Sequence, residues 1–319
     1  MAVAAAAGTF SLVAASVTAA SAARRPADSI PPPAAGTAGC GRAPVPGATT
    51  TGTGDVVQSL AVGSQTRSYR IAVPDRYRST SPTPLILLFH GSGSNALQTS
   101  VYTGMPARGA RNGFLVATPD AVAEQWQLSH ANTADLSFVS ALIASLSARY
   151  CVDSTRIYAA GISLGSEFSI IVACAVPHRI AAIGLVAAEF PVRPCTGPIP
   201  VMAFHGTADP LVPYTNGGVG KSYPGVHLPG AEENLAAWAR LDRCRGTARF
   251  RPVATAVVRR TFDGCAGGSA VVLYSVIGGG HTWPGSPIVL PSAVFGPTTD
   301  QVDATGLMLR FFEQHPAQR

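Results

Sequence analysis

The apolar positions of this chain fall into short, nearly unbroken runs separated by stretches of helical spacing. Pro84-Leu85-Ile86-Leu87-Leu88-Phe89 is one such run and Gly113-Phe114-Leu115-Val116-Ala117 is another. The first is closed by His90-Gly91-Ser92-Gly93 and the second by Pro119-Asp120. Arg156 to Ala160, Ile180 to Ala187, Pro200 to Phe204 and Ala270 to Val276 read as further buried strands. Between the strands, Thr133 to Tyr150 puts Leu136, Val139, Leu142, Ile143 and Leu146 on one helix face. A second helix runs from Ser163 to about Cys174, and Asp303 to His315 forms a third with Leu307, Leu309 and Phe312 inward. Val56 to Val62 and Arg67 to Val73, separated by Gly63-Ser64, predict a hairpin. Strands that are apolar on both faces and alternate with helices predict an α/β fold of one domain, with a mostly parallel sheet covered by helices on both sides. Such sheets hold their ligands at the carboxyl ends of the strands. His90, Asp120, Ser163, Glu189, Asp209 and His281 each follow a predicted strand.

The N-terminal region breaks this pattern. Residues 1–23 are small and apolar, ending Ser21-Ala22-Ala23 before Arg24-Arg25-Pro26, and read as an export signal without a leading basic residue. Residues 24–53 are rich in Pro, Ala, Gly and Thr and read as a tail or linker with no core of its own. Residues 54–319 carry the predicted domain. Six cysteines, none in close CxxC spacing, fit three disulfides and an oxidising compartment outside the cell. Nearest-neighbour spacing favours Cys244 with Cys265 and Cys174 with Cys195, leaving Cys40 for Cys151. Cys40, after Thr37-Ala38-Gly39, has a lipid-anchor role as its rival. The net charge of +6 comes from scattered arginines and one lysine, Lys221, so no nucleic-acid surface is expected. Past residue 23 no apolar run is long enough to insert stably in a membrane.

The chemistry-bearing residues centre on Gly161-Ile162-Ser163-Leu164-Gly165. A Gly-x-Ser-x-Gly turn between strand and helix exposes the serine hydroxyl, and glycines two residues either side remove side chains that would collide. A serine needs a base, and the histidine of such a site comes last in the chain, after an acid. His281, in Gly278-Gly279-Gly280-His281-Thr282-Trp283-Pro284, fits that order. Asp209, in His205-Gly206-Thr207-Ala208-Asp209-Pro210, is the favoured acid, with Glu189 as its rival in the same interval. His90 and His205, at strand ends before glycines, read as structural. Backbone N–H groups of Ser92 and Leu164 are the candidate oxyanion donors. Trp126, Asp135 and Trp283 are candidate cleft residues. No metal-ligand spacing and no phosphate-cradling loop occurs, so no metal or cofactor is expected.

Several motifs stand together in the order of one known group: Cys40-Gly41, Arg67-Ser68-Tyr69-Arg70, His90-Gly91, Val152-Asp153-Ser154-Thr155-Arg156-Ile157-Tyr158, Gly161-Ile162-Ser163, Phe204-His205-Gly206-Thr207-Ala208-Asp209 and Gly279-Gly280-His281-Thr282-Trp283-Pro284-Gly285. From Cys40 onward the chain resembles secreted polyhydroxybutyrate-depolymerase-like esterases, a group that includes feruloyl and acetylxylan esterases. The resemblance implies the α/β-hydrolase fold, with Ser163 as nucleophile, Asp209 as acid and His281 as base. The substrate it implies is a carboxylic ester, either a polyhydroxyalkanoate oligomer or a feruloyl or acetyl ester on plant polysaccharide. Ser166 and Glu189 depart from the pattern, which more often has Gly at both places. Two rivals remain: an acyltransferase on the same scaffold, and a non-catalytic carbohydrate-binding protein of the same fold.

Overall fold

The structure, a computed structural model, describes residues 36–42 and 55–317, except 132, 177, 178, 193 and 196. The expected export signal, most of the tail and His178 lie outside the described residues. Among the described residues ten strands form one sheet: β1 (Val56–Val62), β2 (Gln65–Ala72), β3 (Thr83–Phe89), β4 (Leu115–Pro119), β5 (Val152–Ile162), β6 (Ala182–Val186), β7 (Val201–Gly206), β8 (Arg249–Ala254), β9 (Val257–Phe262) and β10 (Val271–Val276). Their spatial order is β1-β2-β4-β3-β5-β6-β7-β10-β9-β8. The helices are α1 (Ala96–Thr103), α2 (Met105–Arg111), α3 (Ala134–Arg149), α4 (Leu164–Ala175), α5 (Ala231–Leu241), α6 (Ser292–Phe295) and α7 (Ala304–Gln314).

The six central strands run parallel. Both flanks are antiparallel, β1 and β2 on one side and β9 and β8 on the other. Successive side chains of a strand point to opposite faces, and here both faces are apolar. Leu85, Leu87 and Phe89 join α3, α4 and α5 through Leu142, Phe168 and Trp238. Ile86 and Leu88 join α2 and α7 through Met105, Met308 and Phe312. That two-sided burial makes the central strands read as continuous apolar runs.

Local chemistry sets the helix ends. Thr133 caps α3 by accepting from the Leu136 N–H, and Asp303 caps α7 by accepting from the Gly306 N–H. Arg108 on α2 pairs with the same Asp303, tying α7 to α2. The β8–β9 hairpin and helices α1, α2 and α5 were not expected from the pattern of the sequence. β8 is exposed along its length, carrying Arg249, Arg251 and Pro252.

Residues 36–42 of the Pro-rich segment are attached to the domain. Gly36 bridges to Asp153, the Thr37 hydroxyl donates to the Tyr150 carbonyl at 3.1 Å, and Cys40 is bonded to Cys151. Cys174–Cys195 and Cys244–Cys265 are the other two disulfides. With its sulfur in a disulfide, Cys40 has no thiol for a lipid. No helix among the described residues is long and apolar enough to cross a membrane.

Candidate active site

Ser163 sits where β5 turns into α4, with φ 56° and ψ −126°. The turn is tight enough to need its glycines. A Cβ on Gly161 would lie 2.3 Å from the Gly165 backbone, and one on Gly165 would lie 2.2 Å from the Phe89 carbonyl oxygen. The Ser163 N–H donates to the Val186 carbonyl at 2.8 Å, so β6 holds the turn from the side. Ser166, where the sequence departs from glycine, is buried and its hydroxyl donates to the Ala188 carbonyl.

Asp209 follows β7 and His281 follows β10, which are neighbours in the sheet. His281 Nδ1 lies 2.8 Å from Asp209 Oδ2, and both side chains are almost fully buried. The other carboxylate oxygen, Oδ1, accepts from the Leu211 and Val212 N–H groups at 2.8 and 2.9 Å. Burial pushes the Asp209 carboxyl up, but the hydrogen bonds and charges of His205 and His281 outweigh it and hold the group well below the usual carboxylate range. Asp209 is therefore ionised at any ordinary pH. Ser163 and His281 line one cavity of about 730 Å³.

The loop after β3 forms the opposite wall of that cavity. His90 anchors it: its Nε2 accepts from the Ala121 N–H at 3.0 Å and its Nδ1 donates to the Gly91 carbonyl at 2.8 Å. One acceptor and one donor make a neutral imidazole, and burial lowers its pKa in agreement. Trp126 Nε1–H donates to the His90 carbonyl at 3.0 Å, and the indole stacks on Phe168 at 4.5 Å. Ser92 is exposed at the cavity edge, and Gln125 donates to its hydroxyl. Among the described residues, the Ser92 and Leu164 N–H groups donate to no backbone acceptor.

The three candidate cleft residues do not line this cavity. Trp283 is fully buried, its indole N–H on Thr305 and its ring among α7 side chains. Trp126 packs behind the His90 loop. Asp135 is buried beneath β2, accepting from Arg67 at 2.7 Å and from the Gln127 N–H at 2.9 Å. All three are supports, because a large ring or a carboxylate with a complete set of buried partners gains nothing from the cleft. Glu189 pairs with a different histidine, holding His205 Nδ1 at 2.9 Å.

Much of the cavity wall is instead apolar and built from residues the sequence pattern had not marked. Leu97 and Val101 come from α1, one turn apart, and are 48% and 39% exposed. Ile288, Leu290 and Phe295 come from the chain just after His281. An apolar run between prolines with no strand or helix to bury it was the available signal.

Residues 68–243, more than half of the chain, match the family described as Esterase PHB depolymerase. The chain belongs to that family. NocK of Nocardia uniformis subsp. tsuyamanensis, a protein named as an esterase, is 33% identical over 297 residues, 85% of this chain and 84% of its own length. Feruloyl esterase B of Piromyces equi is 27% identical over 230 residues, which span 67% of this chain but only 42% of that protein. Among solved structures, the acetyl xylan esterase from Aspergillus awamori aligns over 81% of this chain and 99% of its own with a TM-score of 0.58 at 14% identity. That last likeness concerns the fold alone, the mixed α/β sheet of esterases. This Esterase PHB depolymerase family member is a carboxylic-ester hydrolase.

Proposed function

We propose that the protein is a secreted serine esterase that works through an acyl-enzyme on Ser163. The observation that carries this reading is the 2.8 Å contact of His281 with the ionised Asp209, in a cavity that Ser163 shares. His281 accepts the Ser163 proton as Oγ attacks the ester carbonyl carbon. Asp209 holds the imidazole with Nδ1–H toward it, leaving Nε2 for the serine, and stabilises the imidazolium without taking the proton. The unengaged N–H groups of Ser92 and Leu164 receive the carbonyl oxygen as it becomes negative. The leaving alcohol departs with the proton from His281, and water then repeats the sequence on the acyl-enzyme. Three disulfides support export to an oxidising compartment.

Among the described residues that line the cavity, His281 and the Tyr102 phenol titrate and none is an acid, lysine or arginine. An uncharged ester with an apolar acid portion fits such a wall. The esters named for relatives of this chain, feruloyl esters among them, and hydroxyalkanoate oligomers satisfy that condition. Ser163→Ala should keep the fold and lower turnover of a short-chain aryl ester by about 10⁴-fold or more. Wild-type rates from that variant would reject the assignment. A panel of methyl ferulate, acetylated xylan and hydroxybutyrate oligomers separates the substrates.

A further inference from the structure

His205 has no part in the chemistry just described, yet it is one of the most completely buried ionisable groups in the protein. It is the penultimate residue of β7, four residues before Asp209. Its Nδ1 lies 2.9 and 3.2 Å from the two Glu189 oxygens. Its Nε2 lies 3.0 Å from the Val212 carbonyl and 3.4 Å from Asp209 Oδ2. Every neighbour of either nitrogen is thus an acceptor, unlike His90, which has one N–H donor facing it. A neutral imidazole here would turn a lone pair on a carboxylate or a carbonyl, so both nitrogens carry protons.

We propose that His205, as a buried cation between Glu189 and Asp209, is a positioning residue for the triad acid. This rests on the Ser163–His281–Asp209 reading above. Oδ2 of Asp209 is flanked by His281 on one side and His205 on the other, and Oδ1 by two backbone amides. Three donors and the His205 cation, 3.4 Å away, leave the carboxylate one orientation. Glu189 stands behind His205 as its counter-ion and is itself fixed: its backbone carbonyl accepts from Trp238 Nε1 at 2.8 Å and its side chain from Asn234 Nδ2 at 3.4 Å, both on α5. Tyr214 packs its ring edge-on against His205 with centroids 5.7 Å apart. Glu167 on α4, hydrogen-bonded to Tyr223, is the other acid near Glu189.

The charges explain what the arrangement does. Glu189, His205 and Asp209 sum to one negative charge, which the developing His281 imidazolium neutralises. Burial disfavours the His205 cation, but the two carboxylates outweigh burial and raise its pKa to about 10. Without that cation, two carboxylates would face each other in a buried space. His281 would then hold a proton more tightly and enter the reaction less often in its basic form.

The test is His205→Gln, which keeps an amide N–H group of similar reach for the Val212 carbonyl and removes the charge. The acid limb of kcat/KM should move up by about one pH unit, and kcat at pH 7 should fall severalfold, by about tenfold at most, with KM nearly unchanged. Adding Glu189→Gln restores a single net negative charge, so the double variant should return the limb close to wild type and recover most of kcat. A purely structural role predicts a double variant at least as impaired as the single, with no movement of the limb. That result would overturn the proposal. A second measurement needs no folded His205 variant. In ¹⁵N-histidine spectra of wild type and of His281→Ala, one imidazole should stay protonated on both nitrogens at pH 8. If none does, the proposal fails. Fluorophosphonate labelling of wild-type Ser163 tests the underlying triad separately: no label sinks the triad, while a labelled enzyme with an unshifted limb sinks only the role of His205.

Discussion

Gly161→Ala opens the turn that presents Ser163, and its cost can be worked from distances. The added Cβ would lie 2.3 Å from the Gly165 carbonyl carbon and oxygen and 2.8 Å from the Ser166 nitrogen, all backbone atoms. Ordinary contact begins at 3.4 Å, so the end of β5 and the start of α4 must separate by about 1.1 Å. No side chain can swing away to relieve the clash. Ser163 lies between the two, and Leu164, a candidate oxyanion donor, moves with α4. Overpacking of this kind costs roughly 1–3 kcal/mol of stability. A misplacement of about 1 Å at a reacting group costs on the order of 100-fold in rate. The assay is kcat for a short-chain aryl ester, normalised to folded protein, beside a thermal melt. Gly63→Ala is the control: Gly63 has φ 59° but nothing within 4 Å of the new Cβ. It should lose about 1 kcal/mol or less and keep its activity. If Gly161→Ala retained kcat within a few fold of wild type, the turn would not be holding Ser163 as described.

Further expectations concern the supports and the buried charges. Asp135→Asn strands the Arg67 cation, buried with it at 5% and 2% exposure, and should cost about 3–5 kcal/mol in chemical denaturation. Its kcat per fluorophosphonate-reactive site should stay at the wild-type value, and a selective loss of kcat would return Asp135 to the cleft. Stability should also depend on pH at both ends. His205 has a raised pKa, so its contribution is complete below about 6.5 and is lost as pH rises through about 10. Asp209 has a lowered pKa, so its contribution is present above about 3.8 and is lost as pH falls. The Asp209 part is therefore intact above about pH 4 and the His205 part below about 6.5. Burial raises the Glu167 and Asp242 carboxyls to about 7 and about 6, so their ionisation lowers the melting temperature between those limits. A melting temperature that rises from pH 7 to 9.5 would contradict the His205 cation.

The central sheet was legible in the sequence because burial on two faces leaves no polar alternation to blur it. Val152–Ile162 and Val271–Val276 illustrate this, the first leading directly into Ser163 and the second into His281 five residues on. The β8–β9 hairpin was hidden by the opposite condition. An exposed edge strand reading Arg-Phe-Arg-Pro-Val-Ala has no pattern that a core would impose. Helices α1 and α2 were obscured by Pro106, Gly104 and Gly109 and by the cavity-facing apolar residues of α1. Ser163, Asp209 and His281 could be singled out as candidates by order and strand position. Order allows both Asp209 and Glu189, and the resemblance favours Asp209; in the structure Asp209 contacts His281 and Glu189 turns to His205. The same applies to Trp126 and Trp283: a tryptophan suits a core and a cleft equally until its indole N–H partner is known.

The backbone at Ser163 has a consequence for engineering. At φ 56° and ψ −126° it occupies a region that glycine enters freely and serine enters under strain, on the order of 1–3 kcal/mol. Ser163→Gly would release that strain and give back roughly 0.4–1 kcal/mol through a more flexible unfolded chain. The inactive variant should therefore melt higher than the enzyme. Selection for thermal stability alone would drift toward losing the nucleophile, so any stabilisation campaign on this scaffold has to screen for turnover at every round.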